Sequence, residues 1–76
     1  MKPLNMTGML WYDDDPQRSL KDKVLRAARH YRRKYKEEPD ICFVHPSAIT
    51  NERSVDGVRI RALSSVLRHH FWLGIE

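Results

Sequence analysis

Residues 19–37 read SLKDKVLRAARHYRRKYKE, and this stretch decides the architecture. At about 100° per residue, Leu20, Val24, Ala27, Ala28, Tyr31 and Tyr35 fall within roughly one third of a helix circumference. Arg26, Arg29, Arg33 and Lys36 fall nearly opposite, while Leu25 lies off the apolar stripe. The pattern predicts a helix with one side to bury and one wet, cationic side. Its start is marked chemically: Ser19-Leu20-Lys21-Asp22 has the form of a capping box with aspartate in place of glutamate. Asp13, Asp14, Asp15 and Pro16 lie just upstream, where acids complement the positive end of the helix dipole. Pro39 ends the run. A lone helix cannot bury its own stripe, so a sheet must supply the opposing surface.

The flanking sequence supplies it. Ile41-Cys42-Phe43-Val44-His45 is an apolar run between Pro39 and Pro46, which reads as a central strand covered on both faces. Val55-Asp56-Gly57-Val58 carries the Asp-Gly signal of a two-residue type I′ hairpin. The return arm alternates, with Val58 and Ile60 inward and Arg59 and Arg61 outward. Phe71-Trp72-Leu73-Gly74-Ile75 reads as a further strand, with Trp72 on the face opposite Phe71, Leu73 and Ile75. Met9-Leu10-Trp11-Tyr12 is a brief strand or an apolar plug. Residues 46–52 are a loop or single turn, and residues 63–70 a helical turn or an extended crossover. The expected fold class is α+β: one long amphipathic helix packed on a small, mostly antiparallel three- to five-stranded sheet. Pro3, Asn5, Thr7 and Gly8 punctuate the start, so residues 1–8 are expected to form a disordered leader ahead of one domain over residues 9–76.

Composition narrows the function classes. A chain of 76 residues holds one thin core, too little for a cofactor domain beside a substrate domain. Residues 1–38 hold ten cations against six acids, and the remainder four against four, so the net +4 belongs to the first half. Residues 26–36 alone carry Arg26, Arg29, Arg32, Arg33, Lys34 and Lys36 with no acid. Such a stripe is either a solvated solubility face or an attractor of nucleic-acid phosphates, acidic lipids or acidic proteins. No apolar run approaches the roughly 20 residues that span a bilayer. The lone Cys42 excludes an intramolecular disulfide and fits a reducing compartment, so a cytoplasmic protein without membrane partners is expected.

Several residue groups invite chemical readings. Cys42, His45, His69 and His70 supply nominal zinc ligands, but residues three apart on a strand point to opposite faces, so no metal site is expected. The Asp13–Asp15 run lacks the spacing of a calcium loop and suits a turn before the helix. Ser47 beside His45 is not a nucleophile–base pair without an orienting acid. A catalytic reading requires a concave site that gathers His45 with His69 or His70 and an acid. There is no Gly-rich phosphate loop, and no cofactor or small-molecule substrate is implied.

The expectation is therefore a small non-enzymatic binding module. Its leading reading is electrostatic nucleic-acid binding through Arg26, Arg29, Arg33 and Lys36, since nine of the fourteen cations are arginine, the better phosphate fork. The alternative is homodimerisation or capture of another protein through an open sheet face. That face would present Trp72, Cys42 and Val44 beside Arg59 and Arg61.

Overall fold

A computed structural model of the chain describes residues 8–76. The expected leader lies outside the described residues except for Gly8, which already belongs to a strand. The elements are β1 (Gly8–Tyr12), α1 (Leu20–Tyr35), β2 (Ile41–Val44), a 3₁₀ turn (Pro46–Ala48), β3 (Arg53–Val55), β4 (Val58–Ala62) and β5 (His70–Gly74).

Each boundary has a local cause. Ser19 caps α1, its Oγ accepting the Asp22 amide at 3.1 Å. The helix stops at Tyr35 rather than Glu37. Lys36 takes the left-handed conformation (φ 61°) and its amide donates to the Arg32 carbonyl at 2.8 Å, turning the chain away before Pro39 is reached. Asp56 (φ 53°) and Gly57 (φ 83°) both have positive φ, as a type I′ hairpin between β3 and β4 requires.

The sheet order is β1-β5-β2-β4-β3. β1–β5, β2–β5 and β3–β4 are antiparallel, but β2 and β4 run parallel, so the sheet is mixed. The parallel pair arises because the chain leaving β2 first lays β3 on the outer edge. β4 then returns between them in the direction of β2.

α1 packs on one face of this sheet. Val24, Ala27, Ala28 and Tyr31 are buried in one cluster with Cys42, Val44, Ile60, Phe71 and Leu73. Leu20 and Tyr35 join at the margins, and so does Leu25, which the helical stripe alone left out. Tyr35 donates its hydroxyl to the Gly8 carbonyl at 2.9 Å, and Trp11 stacks on His30 with ring centroids 4.4 Å apart. Both contacts tie β1 to the helix. The opposite face holds Ile41, Phe43 and Trp72, covered by Val66 and Leu63 of the crossover from β4 to β5. Gly8 is needed beneath the indole of Trp72: a Cβ at that position would collide with the Trp72 ring and approach the Leu73 carbonyl to 2.7 Å.

The expected partition of the sheet faces needs one correction. Cys42 and Val44 do not share a face with Trp72. The register pairs Phe43 with Trp72 and Cys42 with Leu73, and directly opposed residues share a face. Cys42 and Val44 therefore go under the helix.

The junction between β1 and α1 is locked by a buried acid. Asp13, 7% exposed, accepts the Asp15 amide at 3.0 Å and Arg18 Nη1 at 3.1 and 3.0 Å on its two oxygens. Burial works against its charge, but the Asp15 amide and the Arg18 guanidinium outweigh it and hold the carboxyl below its ordinary range. Asp13→Asn is expected to cost about 1–3 kcal/mol in urea denaturation at pH 7, the range for removing a charged hydrogen-bond partner. A group depressed in the folded state stabilises fully above its unfolded pKa, about 3.9 for Asp, and loses that contribution as pH falls through the folded value. The gap between wild type and variant should thus stay constant from neutral pH down to about 5 and close below about 4. A gap that persists unchanged into acid would contradict the assignment.

Candidate functional site

Two surfaces carry the candidate residues. The first is the solvent side of α1. Arg26, Arg29, Arg33 and Lys36 are all exposed there. At 1.5 Å rise per residue they span about 15 Å of helix. Arg26 lies 3.8 Å from Asp22, which also neighbours Arg18 at 3.7 Å, and Arg32 pairs with Glu38 at 3.3 Å. Arg29, Arg33 and Lys36 make no ion pair among the described residues. They lie on the C-terminal half of the helix, where the dipole favours cations.

The face expected to be open is largely self-satisfied. Arg59 is ion-paired with Glu76, and Arg61 pairs with Glu52 at 2.9 Å and neighbours Glu76 at 3.8 Å. Trp72 is 7% exposed, because the crossover carrying Val66 and Leu63 covers this face. Arg59, Arg61 and Trp72 do lie on one face, since Ile41 and Phe43 of β2 face Arg59 and Arg61 across the parallel ladder. The apolar side chains left exposed lie further out. Leu10 and Leu67 are 62% and 68% exposed and border an apolar groove of about 290 Å³, also lined by Trp72 and Val66. In the sequence Leu10 is one of a continuous apolar run, Met9-Leu10-Trp11-Tyr12, and its face follows only from the pairing of Leu10 with Trp72.

The second surface is a cleft of about 320 Å³ at the C-terminal end of β2, and it answers whether the histidines converge. Val44 opposes Phe71 in the ladder, so His45 and His70 emerge side by side just beyond it. The lining includes His45, His69, His70, Ser47, Arg68 and Lys23. The Ser47 amide donates to His45 Nδ1 at 3.0 Å, which leaves the proton of the neutral ring on Nε2. Ser47 Oγ lies 2.8 Å from the same Nδ1 and 3.4 Å from Arg68 Nη1. His70 has the opposite arrangement: its Nδ1 donates to the Arg68 carbonyl at 2.9 Å, leaving Nε2 with the lone pair. His69 at the tip of this turn is left-handed (φ 66°). No carboxylate lines the cleft, so Ser47 and His45 lack an orienting acid there.

Among the described residues no group of three His, Cys, Asp or Glu side chains is placed to share a metal ion. No helix among them is long and apolar enough to cross a membrane. No family model, curated protein or solved structure matches the chain.

Cys42 faces the helix side and takes no part in the cleft. Burial pushes its thiol up to about 12. A thiol so protonated is a poor nucleophile. The folded protein is therefore expected to be inert to a disulfide reagent at pH 8 and to release one equivalent of thiol when unfolded in guanidinium. Stoichiometric labelling of the folded chain would show Cys42 to be accessible after all.

Proposed function

We propose that this chain is a small nucleic-acid-binding module that docks the phosphate backbone on the cationic side of α1. In this reading α1 acts as a long amphipathic element, one side packed and the other offered to the ligand. The supporting observation is the uneven pairing of the arginines. Arg18, Arg26, Arg32, Arg59 and Arg61 each have an acid within 4 Å, whereas Arg29, Arg33 and Lys36 stand together with none among the described residues. An unneutralised row of cations attracts phosphates and releases their counterions on binding. Tyr31 is buried and Tyr35 is bonded to the Gly8 carbonyl, so the helix offers no aromatic platform for bases. Binding should accordingly tolerate any sequence. A single unpaired thiol suits a reducing compartment, and we place this activity in the cytoplasm.

Fluorescence anisotropy with a labelled duplex tests the reading. With three to four phosphate contacts, the logarithm of affinity should fall against the logarithm of salt with a slope of about −3. Replacing Arg26, Arg29, Arg33 and Lys36 with glutamine should abolish binding and leave the circular dichroism spectrum unchanged. Absence of binding to both duplex DNA and RNA at low salt would overturn the proposal.

A different observation favours self-association as the second reading. Leu10 and Tyr12 are exposed on β1, an edge strand with a ladder partner on one side only among the described residues. Antiparallel pairing of β1 with β1 of a second copy would continue the sheet across a two-fold axis and cover both side chains. Light scattering should then report a dimer, and Leu10→Lys a monomer. A wild type that stays monomeric at several hundred micromolar would exclude it.

A further inference from the structure

The cleft at the end of β2 is separate from the cationic ridge of α1, and its lining has a chemistry of its own. We propose that it binds the phosphate group of a small phosphorylated molecule. Three side chains that can donate line it: Arg68 with its guanidinium, Lys23 with its ammonium and His45 with its Nε2–H, while the one proton of the Ser47 hydroxyl is spent on His45 Nδ1 at 2.8 Å. An oxyanion needs such a set, and charge-assisted hydrogen bonds to phosphate are about twice as strong as neutral ones. No acid among the lining residues repels it. Asp13 is close enough to Lys23 to feel its charge, but it is already engaged by Arg18 at 3.0 Å.

His45 and Arg68 are held in place before any ligand arrives. Ser47 is fixed by its amide and hydroxyl against His45, and Arg68 reaches that hydroxyl at 3.4 Å. The Arg68 carbonyl is held in turn by His70 Nδ1 at 2.9 Å. Left-handed φ at a non-glycine residue, as at His69, carries a backbone cost, and such strain gathers at ligand clamps. The cleft lies beyond the C-terminal end of β2, beside the start of the antiparallel β5. Its volume is near the lower bound of small-molecule pockets, and Leu20 and Phe71 in its wall offer apolar surface to a short organic moiety.

Nuclear magnetic resonance titration of the full chain with inorganic phosphate and with glycerol phosphate, against sodium chloride at matched ionic strength, tests the site. Saturable shifts confined to the amides of Ser47, Arg68, His69 and His70 are expected with both phosphates and not with chloride. Tighter binding of glycerol phosphate would identify a phosphate monoester as the ligand, and equal binding would identify the free anion. Arg68→Gln and, separately, Lys23→Gln should each weaken binding by about tenfold, the loss of one charge-assisted hydrogen bond. The fingerprint spectrum of each variant reports whether it is folded, and the effect of either folded variant suffices. Arg29→Gln, on the helix ridge, should leave phosphate affinity unchanged, which keeps this result distinct from that for duplex binding. Shifts that do not saturate, that chloride reproduces, or that survive both cleft variants at wild-type strength would overturn the proposal.

Discussion

The seating of Val24, Ala27, Ala28 and Tyr31 on Cys42, Ile60, Phe71 and Leu73 is the constraint on which every other surface depends. Water expels both apolar sides, and burying a side chain the size of valine or leucine contributes about 1.5–3 kcal/mol. With the stripe of α1 fixed downward, Arg29, Arg33 and Lys36 have nowhere to point but outward. With Leu73 and Cys42 fixed upward, strand parity sends Trp72, Phe43 and Ile41 to the other face. That face would be too apolar to leave wet, and the crossover from β4 to β5 lies across it with Val66 and Leu63. Both layers of the core thus follow from one packing decision.

Charge is sorted along the same lines. Acids are placed where structure needs them: Asp13 and Asp15 at the turn into α1, Asp22 in its first turn, Glu52 and Glu76 beside the arginines of β4. Surface pairs of this kind each contribute little to stability. Their effect is to neutralise part of the surface; Arg29, Arg33 and Lys36 on the distal half of α1 and Lys23 and Arg68 at the cleft are among the cations with no ion pair among the described residues. Glu76 reaches Arg59 and Arg61 because β5 ends on the same face as those side chains, an arrangement no local motif encodes.

The signals legible in the sequence were those with a local cause. The Ser19 cap and the Asp-Gly turn each depend on residues within a few positions of one another and are found in place, whereas α1 ends at Tyr35 and takes Leu25, off the stripe, into the core margin. The parallel pairing of β2 with β4 was not legible, because it depends on where β3 is laid down. The same is true of the face of Cys42: alternation gives two sets of side chains but not which set meets the helix, and the register with β5 decides. The cleft illustrates the limit most directly. His45, Ser47, His69 and His70 could be picked out by residue type, but Lys23 and Arg68 looked like ordinary surface cations until the ladder and the helix brought them together.

The two indoles of the chain ended up on opposite sides of the sheet, Trp11 against the imidazole of His30 and Trp72 over Gly8 beneath the crossover. Each therefore emits from a different layer of the molecule. Light from the first reports whether the helix is docked, and light from the second whether the covering strap is closed, so the protein carries its own pair of optical probes for telling the detachment of one layer from that of the other.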